Sequence, residues 1–223
     1  MNDNSNYLIF GSSSELAQEF LSKLNSKNIY CISTKPDLVS KNYLCITDYL
    51  RDIDEILSFC QNISNPTVIF FNGYLHENRP NVKPNKQQIQ KTFEINYVVP
   101  FELTKCLLSS KLTIKKFIYI SSFAAVKLRY KNFNYGSSKK LLELSINSLG
   151  LKNYLFVRFG KINTKMSSTH RSTIFDLKKE KAAELLLNKI KNNTGIVYPN
   201  LTIRVLATIL IMLPNALIKI LKF

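Results

Sequence analysis

The run Tyr7-Leu-Ile-Phe10-Gly11-Ser-Ser-Ser14-Glu15-Leu-Ala-Gln-Glu-Phe-Leu-Ser-Lys-Leu24 passes from a continuous apolar stretch, through a turn of small residues, into a pattern of helical period. It predicts a strand, a tight turn and a helix whose first backbone N–H groups are free to hold a pyrophosphate. The same residues also read as an ordinary Ser-capped helix, with Ser12, Ser13 or Ser14 as the cap. Working outward, strand-type runs fall near 7–11, 28–33, 43–46, 67–71, 115–121, 153–158 and 195–198. Helical patterns fall near 14–25, 48–61, 86–110, 135–149 and 178–192. This alternation predicts an α/β fold, a doubly wound parallel sheet of about seven strands with helices on both faces. A chain of 223 residues suits one such domain, residues 1–200, followed by a distinct tail, 201–223. The longest loops are 73–86 and 160–176, and no internal repeat or interdomain linker is evident.

A second stretch carries candidate chemistry: Ser121-Ser122-Phe-Ala-Ala-Val-Lys-Leu-Arg-Tyr-Lys-Asn-Phe-Asn-Tyr135-Gly-Ser-Ser-Lys139. Tyr135 and Lys139 are four apart at the head of a helical pattern, so they share a face. Ser122 lies thirteen residues before Tyr135, at the end of the β-rich run Lys116-Phe-Ile-Tyr-Ile-Ser. A fixed ammonium favours a neighbouring phenolate, so the Tyr135 pKa is expected below its usual value of about 10. A Ser hydroxyl can hold a carbonyl oxygen by hydrogen bond. The three together describe carbonyl reduction, or its reverse, by hydride transfer.

At these residues the sequence resembles the short-chain dehydrogenase/reductase family, whose signature is Ser followed twelve to fourteen residues later by Tyr-x-x-x-Lys, over roughly residues 6–200. The resemblance implies a Rossmann-like fold, with Ser122 holding the substrate carbonyl, Tyr135 donating the proton, and Lys139 lowering the Tyr pKa and holding the cofactor ribose. Other segments match in the family's order. The turn Gly11-Ser12-Ser13-Ser14-Glu15-Leu16-Ala17 stands where the family has Gly-x-x-x-Gly-x-Gly, and keeps only the first Gly. Its match assigns Gly11, Ser12, Ser13, Ser14 and Leu16 to the cofactor; Glu15 departs from the pattern. Asn72-Gly73, ending Thr67-Val-Ile-Phe-Phe71, matches the family's Asn-Ala-Gly turn on the adenosine side. Asn96 matches the helix Asn that in relatives holds a proton-relay water. The segment Arg158-Phe-Gly160-Lys-Ile162-Asn-Thr164 resembles Arg-Pro-Gly-x-x-x-Thr, which meets the nicotinamide and implies Gly160, Ile162 and Thr164 as contacts, Thr164 to its carboxamide. Relatives usually form dimers or tetramers through the helices corresponding to 86–110 and 135–149, so a homodimer or homotetramer is expected.

Cofactor choice turns on the end of the second strand, Asn28-Ile-Tyr-Cys-Ile-Ser33, where an acid would bind the ribose 2′-OH of NAD. The chain has Thr34-Lys35-Pro36 there and no acid before Asp37, so Ser33, Thr34 and Lys35 favour a 2′-phosphate and NADPH/NADP+ over NADH. The adenine position of the next strand holds Cys45, with Asp48 three residues on.

The formal net charge is +16, but the lysines are scattered and no recognition motif interleaves them with aromatics, so no nucleic-acid partner is expected. Cys31, Cys45, Cys60 and Cys106 form no Cys-x-x-Cys pair and sit in apolar contexts, which reads as buried reduced thiols in a cytoplasmic setting. The histidines, His76 and His170, fall in the two long loops, as solvated residues or on the border of a cleft, with no metal spacing. No N-terminal signal peptide is read. The tail, 201–223, is apolar, carries Arg204, Lys219 and Lys222, has no acid, and is broken by Pro214-Asn215. Two short helices lying in a membrane interface fit it better than a span; the alternative is packing on the domain or on a second subunit. The tail and the Ser14-Glu15-Leu16 turn also resemble a subset of the family, membrane-associated reductases of bacterial glycolipid or capsule precursors, of the decaprenylphosphoryl-ribose epimerisation type. That implies a keto-sugar or lipid-linked sugar substrate at the inner membrane face. The alternatives are a soluble ketoreductase of small or acyl substrates, and a non-catalytic NADP-binding scaffold.

Overall fold

The computed structural model describes residues 4–36, 42–76, 85–168 and 176–214. Seven strands form one parallel sheet: β1 Tyr7–Phe10, β2 Ile29–Ser33, β3 Asn42–Cys45, β4 Thr67–Phe70, β5 Lys116–Ser122, β6 Tyr154–Phe159 and β9 Gly195–Val197, in the order β3-β2-β1-β4-β5-β6-β9. Two short strands absent from the sequence reading, β7 Ile162–Asn163 and β8 Leu177–Lys178, pair beyond β6. The helices are α1 Glu15–Lys23, α2 Ile53–Cys60, α3 Lys86–Phe93, α4 Val99–Ser109, α5 Phe133–Ser148, α6 Lys179–Asn192 and α7 Leu201–Met212.

Parallel strands covered on both faces need apolar side chains at successive positions, and β1 and β4 are buried throughout. One face, through Ile9, Ile69, Ile118 and Val157, packs on α1 and α6 by way of Phe20, Ala182 and Leu186. The other packs on α2, α4 and α5 by way of Ile56, Leu103, Leu107, Leu142 and Ile146. On this face Phe10, Phe70, Tyr119 and Phe156 are register partners across β1, β4, β5 and β6. Their rings stack at 4.9, 5.2 and 4.6 Å. Each such pair adds about 0.5–1.5 kcal/mol beyond area burial, so the ladder fixes the register that brings the strand ends level. The Tyr119 hydroxyl, taken into the core, bonds Thr104 Oγ1 at 2.8 Å.

The pattern read as one helix over 86–110 is two helices joined by a π-helical turn, Glu94–Val98. Pro100 has no N–H to give the Asn96 carbonyl four residues earlier, and its ring crowds that carbonyl. The wider turn relieves the crowding, and Asn96 sits inside it. The cysteines are free, but only Cys31 and Cys60 are buried; Cys45 is exposed at the outer edge strand β3 and Cys106 is half-buried, correcting the expectation for those two.

The described part of the tail, 201–214, packs on the domain. Asn200 caps α7 by accepting from the Ile203 N–H at 2.9 Å, and Ile203, Ala207 and Leu210 are buried. The helix stops before Pro214, as its sequence predicts. No helix among the described residues is long and apolar enough to cross a membrane.

Candidate active site

The strand ends of β1, β4, β5 and β6 open into a cleft of about 910 Å³. Of the residues predicted from sequence, Ser13, Ser14, Leu16, Lys35, Asn72, Gly73, Ser122, Tyr135, Lys139, Gly160, Ile162 and Thr164 all line it. Gly11, Ser12, Thr34 and Asn96 do not.

At one end, Gly11 turns the chain with φ +72°, and a Cβ there would stand 2.9 Å from the Asn72 nitrogen. Only Gly allows this close passage of two strand ends. Ser14 is the N-cap of α1, accepting from the Ala17 N–H at 3.3 Å. Ser12 is fully buried beneath the turn rather than presented to the cleft. The Ser12 Oγ and Asn72 Oδ1 are buried with no protein partner among the described residues; of the two only Asn72 lines the cleft, where a ligand could use that capacity. Glu15, the departure from the family turn, leans across the cleft: its Oε2 accepts from the Lys165 N–H at 2.6 Å.

After β2, Ser33 is buried and spent on its own turn, donating to the Lys35 carbonyl at 2.5 Å and accepting from the Lys35 N–H at 3.2 Å. Thr34 is exposed away from the cleft lining. Of the three residues expected to read a 2′-phosphate, Lys35 alone faces the cleft. Asp48 caps its own turn, accepting from the Leu50 and Arg51 N–H groups at 2.9 Å each. Asp37, His170, Lys219 and Lys222 lie outside the described residues.

At the other end, Ser122 closes β5 and Tyr135 and Lys139 stand on the first turns of α5. Gly136 lets α5 approach: a Cβ on it would meet the Ala124 carbonyl oxygen at 2.7 Å. Strand alternation sends Ser121 inward, where it donates to Glu143 Oε1 at 2.6 Å, and leaves Ser122 beside the Tyr135 phenol. Lys139 is buried and donates to the Asn72 carbonyl at 3.3 Å. Burial pushes its ammonium down to about 8, although Glu143 acts in the opposite sense. The expected lowering of Tyr135 is not found: burial raises the phenol, and the Ser122 hydroxyl draws it back only in part. At neutral pH the phenol therefore keeps its proton.

Asn96 is buried, and its side chain pairs with Tyr74 as a strand backbone would, accepting from the N–H and donating to the carbonyl at 2.8 Å each. It also donates to Ser138 Oγ at 3.1 Å. Its amide is thus a clamp between the β4 loop and α5. Thr164 likewise is committed, capping the turn Lys165–Ser167 in a reciprocal box with Ser167.

Two features were missed in the sequence. The Tyr49 hydroxyl accepts from the Gly11 N–H at 3.1 Å and lies beside Asn72; burial pushes its phenol up to about 12, so it stays neutral beneath the turn. No local pattern marks this tertiary contact. Glu143, buried one turn past Lys139, receives Arg158 Nη2 at 2.5 Å and Nε at 2.8 Å, while Arg158 Nη1 donates to the Tyr198 hydroxyl at 3.0 Å. The i, i+4 spacing from Lys139 was the available signal.

No protein-family model matches the chain, and no curated protein matches it in sequence. Solved structures do match it in fold. A short-chain dehydrogenase from Burkholderia cenocepacia in complex with NADP is 16% identical, with a TM-score of 0.80 over 99% of both chains. A short-chain dehydrogenase family protein from Francisella tularensis is 18% identical, with a TM-score of 0.71 over 88% of this chain and 97% of that one. The ligand-free aldohexose dehydrogenase of Thermoplasma acidophilum is 14% identical, with a TM-score of 0.69 over 91% and 96%. The fold is that of the short-chain dehydrogenases/reductases.

Proposed function

We propose that the chain is an NADPH-dependent reductase of a keto group. The observation that carries this reading is the meeting of Ser122, Tyr135 and Lys139 in the cleft that also holds the Gly11 turn's helix start and Lys35. The residues fit the dinucleotide. Ser13, Ser14 and Leu16 at the head of α1 line the cleft, Asn72 Oδ1 offers a spare hydrogen bond, and Lys35 supplies a cation where NADP differs from NAD. NADPH, when bound, supplies the hydride. Ser122 holds the carbonyl oxygen and Tyr135, protonated at neutral pH, donates to it. Lys139 holds the ribose and the charge balance of the Tyr. With its side chain committed, Asn96 serves the relay through its main-chain carbonyl, which Pro100 deprives of the usual helical donor.

The finer reading is a keto group on a sugar or lipid-linked sugar, with the protein at the cytoplasmic membrane face. It rests on α7, whose Ile203 and Leu206 line the cleft while Val205, Ile209 and Met212 are exposed on its outer side. A soluble ketoreductase is the second reading; the exposed Leu108, Leu141 and Leu144 on α4 and α5 support association of copies in either case.

Tyr135→Phe tests the core of the proposal. Single-turnover oxidation of NADPH by an active ketone is expected to fall by about 10²–10⁴-fold, the usual worth of a general acid. NADPH binding should persist. Activity above about a tenth of wild type would remove Tyr135 as the acid.

A further inference from the structure

Glu15 stands in the turn where the family has glycine, and the carbonyl chemistry leaves it without a role. It is the first residue of α1, and among the described residues that line the cleft it is the one acid. A carboxylate is favoured at that end by the helix dipole. Its side chain bridges 150 residues of sequence to the turn Lys165–Ser167, where Oε2 accepts from the Lys165 N–H at 2.6 Å. That turn is firm in itself. Its own bonds use the Ser167 and Ser168 N–H groups, and Thr164 and Ser167 cap it reciprocally. Pairing of Ile162 with Leu177 anchors the chain that leads into it. On its far side Met166 meets the turn after β4: a Cβ on Gly73 would lie 3.6 Å from Met166 Cε. The turn thus reaches from the head of α1 to the end of β4, across the cleft that Glu15, Lys165, Met166 and Ser167 all line.

We propose that the Glu15–Lys165 hydrogen bond is a strap that shuts the diphosphate end of the cleft, and that NADPH binds only the form in which it is open. The inference rests on the reading of the cleft as a dinucleotide site, and it gives Glu15 control of cofactor entry. The physical reason is charge. In the free chain the Glu15 carboxylate occupies the head of α1, the end that favours an anion. A diphosphate brought there meets like charge at short range in a cleft of lowered dielectric, where repulsion is strong. Strap and ligand are therefore alternatives. Opening gives up a charge-assisted hydrogen bond, and only the open fraction of the chain is competent to bind. The contact faces solvent, so its worth sits at the low end for a bond to a charged group, about a tenfold bias toward the closed form. The family's glycine at this position has no side chain with which to form such a strap.

The test is stopped-flow binding of NADPH to the full chain, followed by its fluorescence, in wild type and Glu15→Ala. The variant should associate about tenfold faster, with dissociation unchanged and Kd lowered to match. 2′-AMP, which carries the 2′-phosphate and no diphosphate, should bind both proteins alike by calorimetry. A second pair of variants isolates the N–H. Lys165→Pro removes the donor and leaves Glu15 in place, whereas Lys165→Ala removes the same side chain and keeps the donor. Thr164 is extended (φ −141°, ψ 167°), as suits a residue before Pro, and the first position of a helical turn tolerates Pro. Lys165→Pro should bind NADPH about tenfold faster than Lys165→Ala. Should Glu15→Ala fail to fold, this pair decides alone. Unchanged or slower association in Glu15→Ala, or equal rates in the Lys165 pair, overturns the strap. An equal gain for 2′-AMP does so too, since it marks a general charge effect, as does a gain seen only as slower dissociation, which places the repulsion in the bound state. If the strap fails in this way while wild type still binds and oxidises NADPH, the reductase reading stands without it. If none of these proteins binds NADPH, the cofactor reading falls and the strap falls with it.

Discussion

Lys139 is the residue whose environment makes the most distinctive demand. Its ammonium titrates near 8 in the folded chain, against 10.5 ordinarily. As pH rises through 8 it loses the charge that would meet the ribose, so NADPH affinity should fall across that range. Stability without cofactor should move the other way. Between about 8 and 10.5 the unfolded chain binds this proton and the folded one does not, so unfolding is disfavoured as pH rises. Fluorescence titration and urea denaturation from pH 7 to 10, with Lys139→Met as reference, would reveal both slopes. Matching flat stability profiles in the two proteins would mean that Lys139 keeps its proton across this range, and NADPH affinity unchanged in Lys139→Met would mean that Lys139 does not hold the ribose. Lys35 makes a simpler demand: Lys35→Ala should weaken NADPH binding more than NADH binding, because only NADPH carries the extra phosphate. Equal losses by the same titration would show that Lys35 does not read the 2′ position.

At the scale of elements, α5 is tied to the sheet by one buried network. Glu143 joins Ser121 of β5 and Arg158 of β6, and Arg158 reaches Tyr198 beyond β9. Glu143→Ala leaves Arg158 as an uncompensated buried charge, and about 3–5 kcal/mol of stability should be lost in denaturant unfolding. Glu143→Leu combined with Arg158→Met should recover part of it, since the double change removes both charges. Gly136→Ala acts on the other side of the helix. Its methyl group would press on the Ala124 carbonyl and shift Tyr135 from Ser122. Turnover should drop further than NADPH affinity does, at a stability cost of about 1–3 kcal/mol. A variant with normal kcat would show that α5 can move without disturbing the pair.

For the whole molecule, α7 decides between a lipid surface and a plain wall. Its inner residues are buried on the domain and line the cleft, so deleting residues 201–223 would strip a wall from the site. Polar substitution of the outer face is the cleaner probe. Val205→Ser, Ile209→Ser and Met212→Ser together should leave folding and NADPH binding intact, because all three are exposed. They should sharply reduce sedimentation with anionic liposomes, and high salt should release the wild-type chain only in part, since salt screens charge but not apolar insertion. A wild-type chain that stays in the supernatant would favour the soluble reading.

The sequence by itself determined the elements and the signature. The short apolar run Thr67–Phe70, rich in β-branched and aromatic residues and followed by Asn72-Gly73, reads as a strand buried on both faces, and Tyr135 and Lys139 share a face because helical periodicity is local. It also carried the break before Pro214. What it left open depends on neighbours far along the chain. The π turn at Asn96 was written in Pro100 but overlooked within an otherwise helical pattern. Which of Ser33, Thr34 and Lys35 faces the cleft, which of Ser121 and Ser122 turns to Glu143, and that Thr164 is held by its own cap were settled by packing and hydrogen bonding. The sign of the Tyr135 shift followed the same division. Sequence spacing supplies a nearby cation, but burial is a property of the assembled cleft, and desolvation of a phenolate there raises the phenol, opposed only in part by the Ser122 hydroxyl.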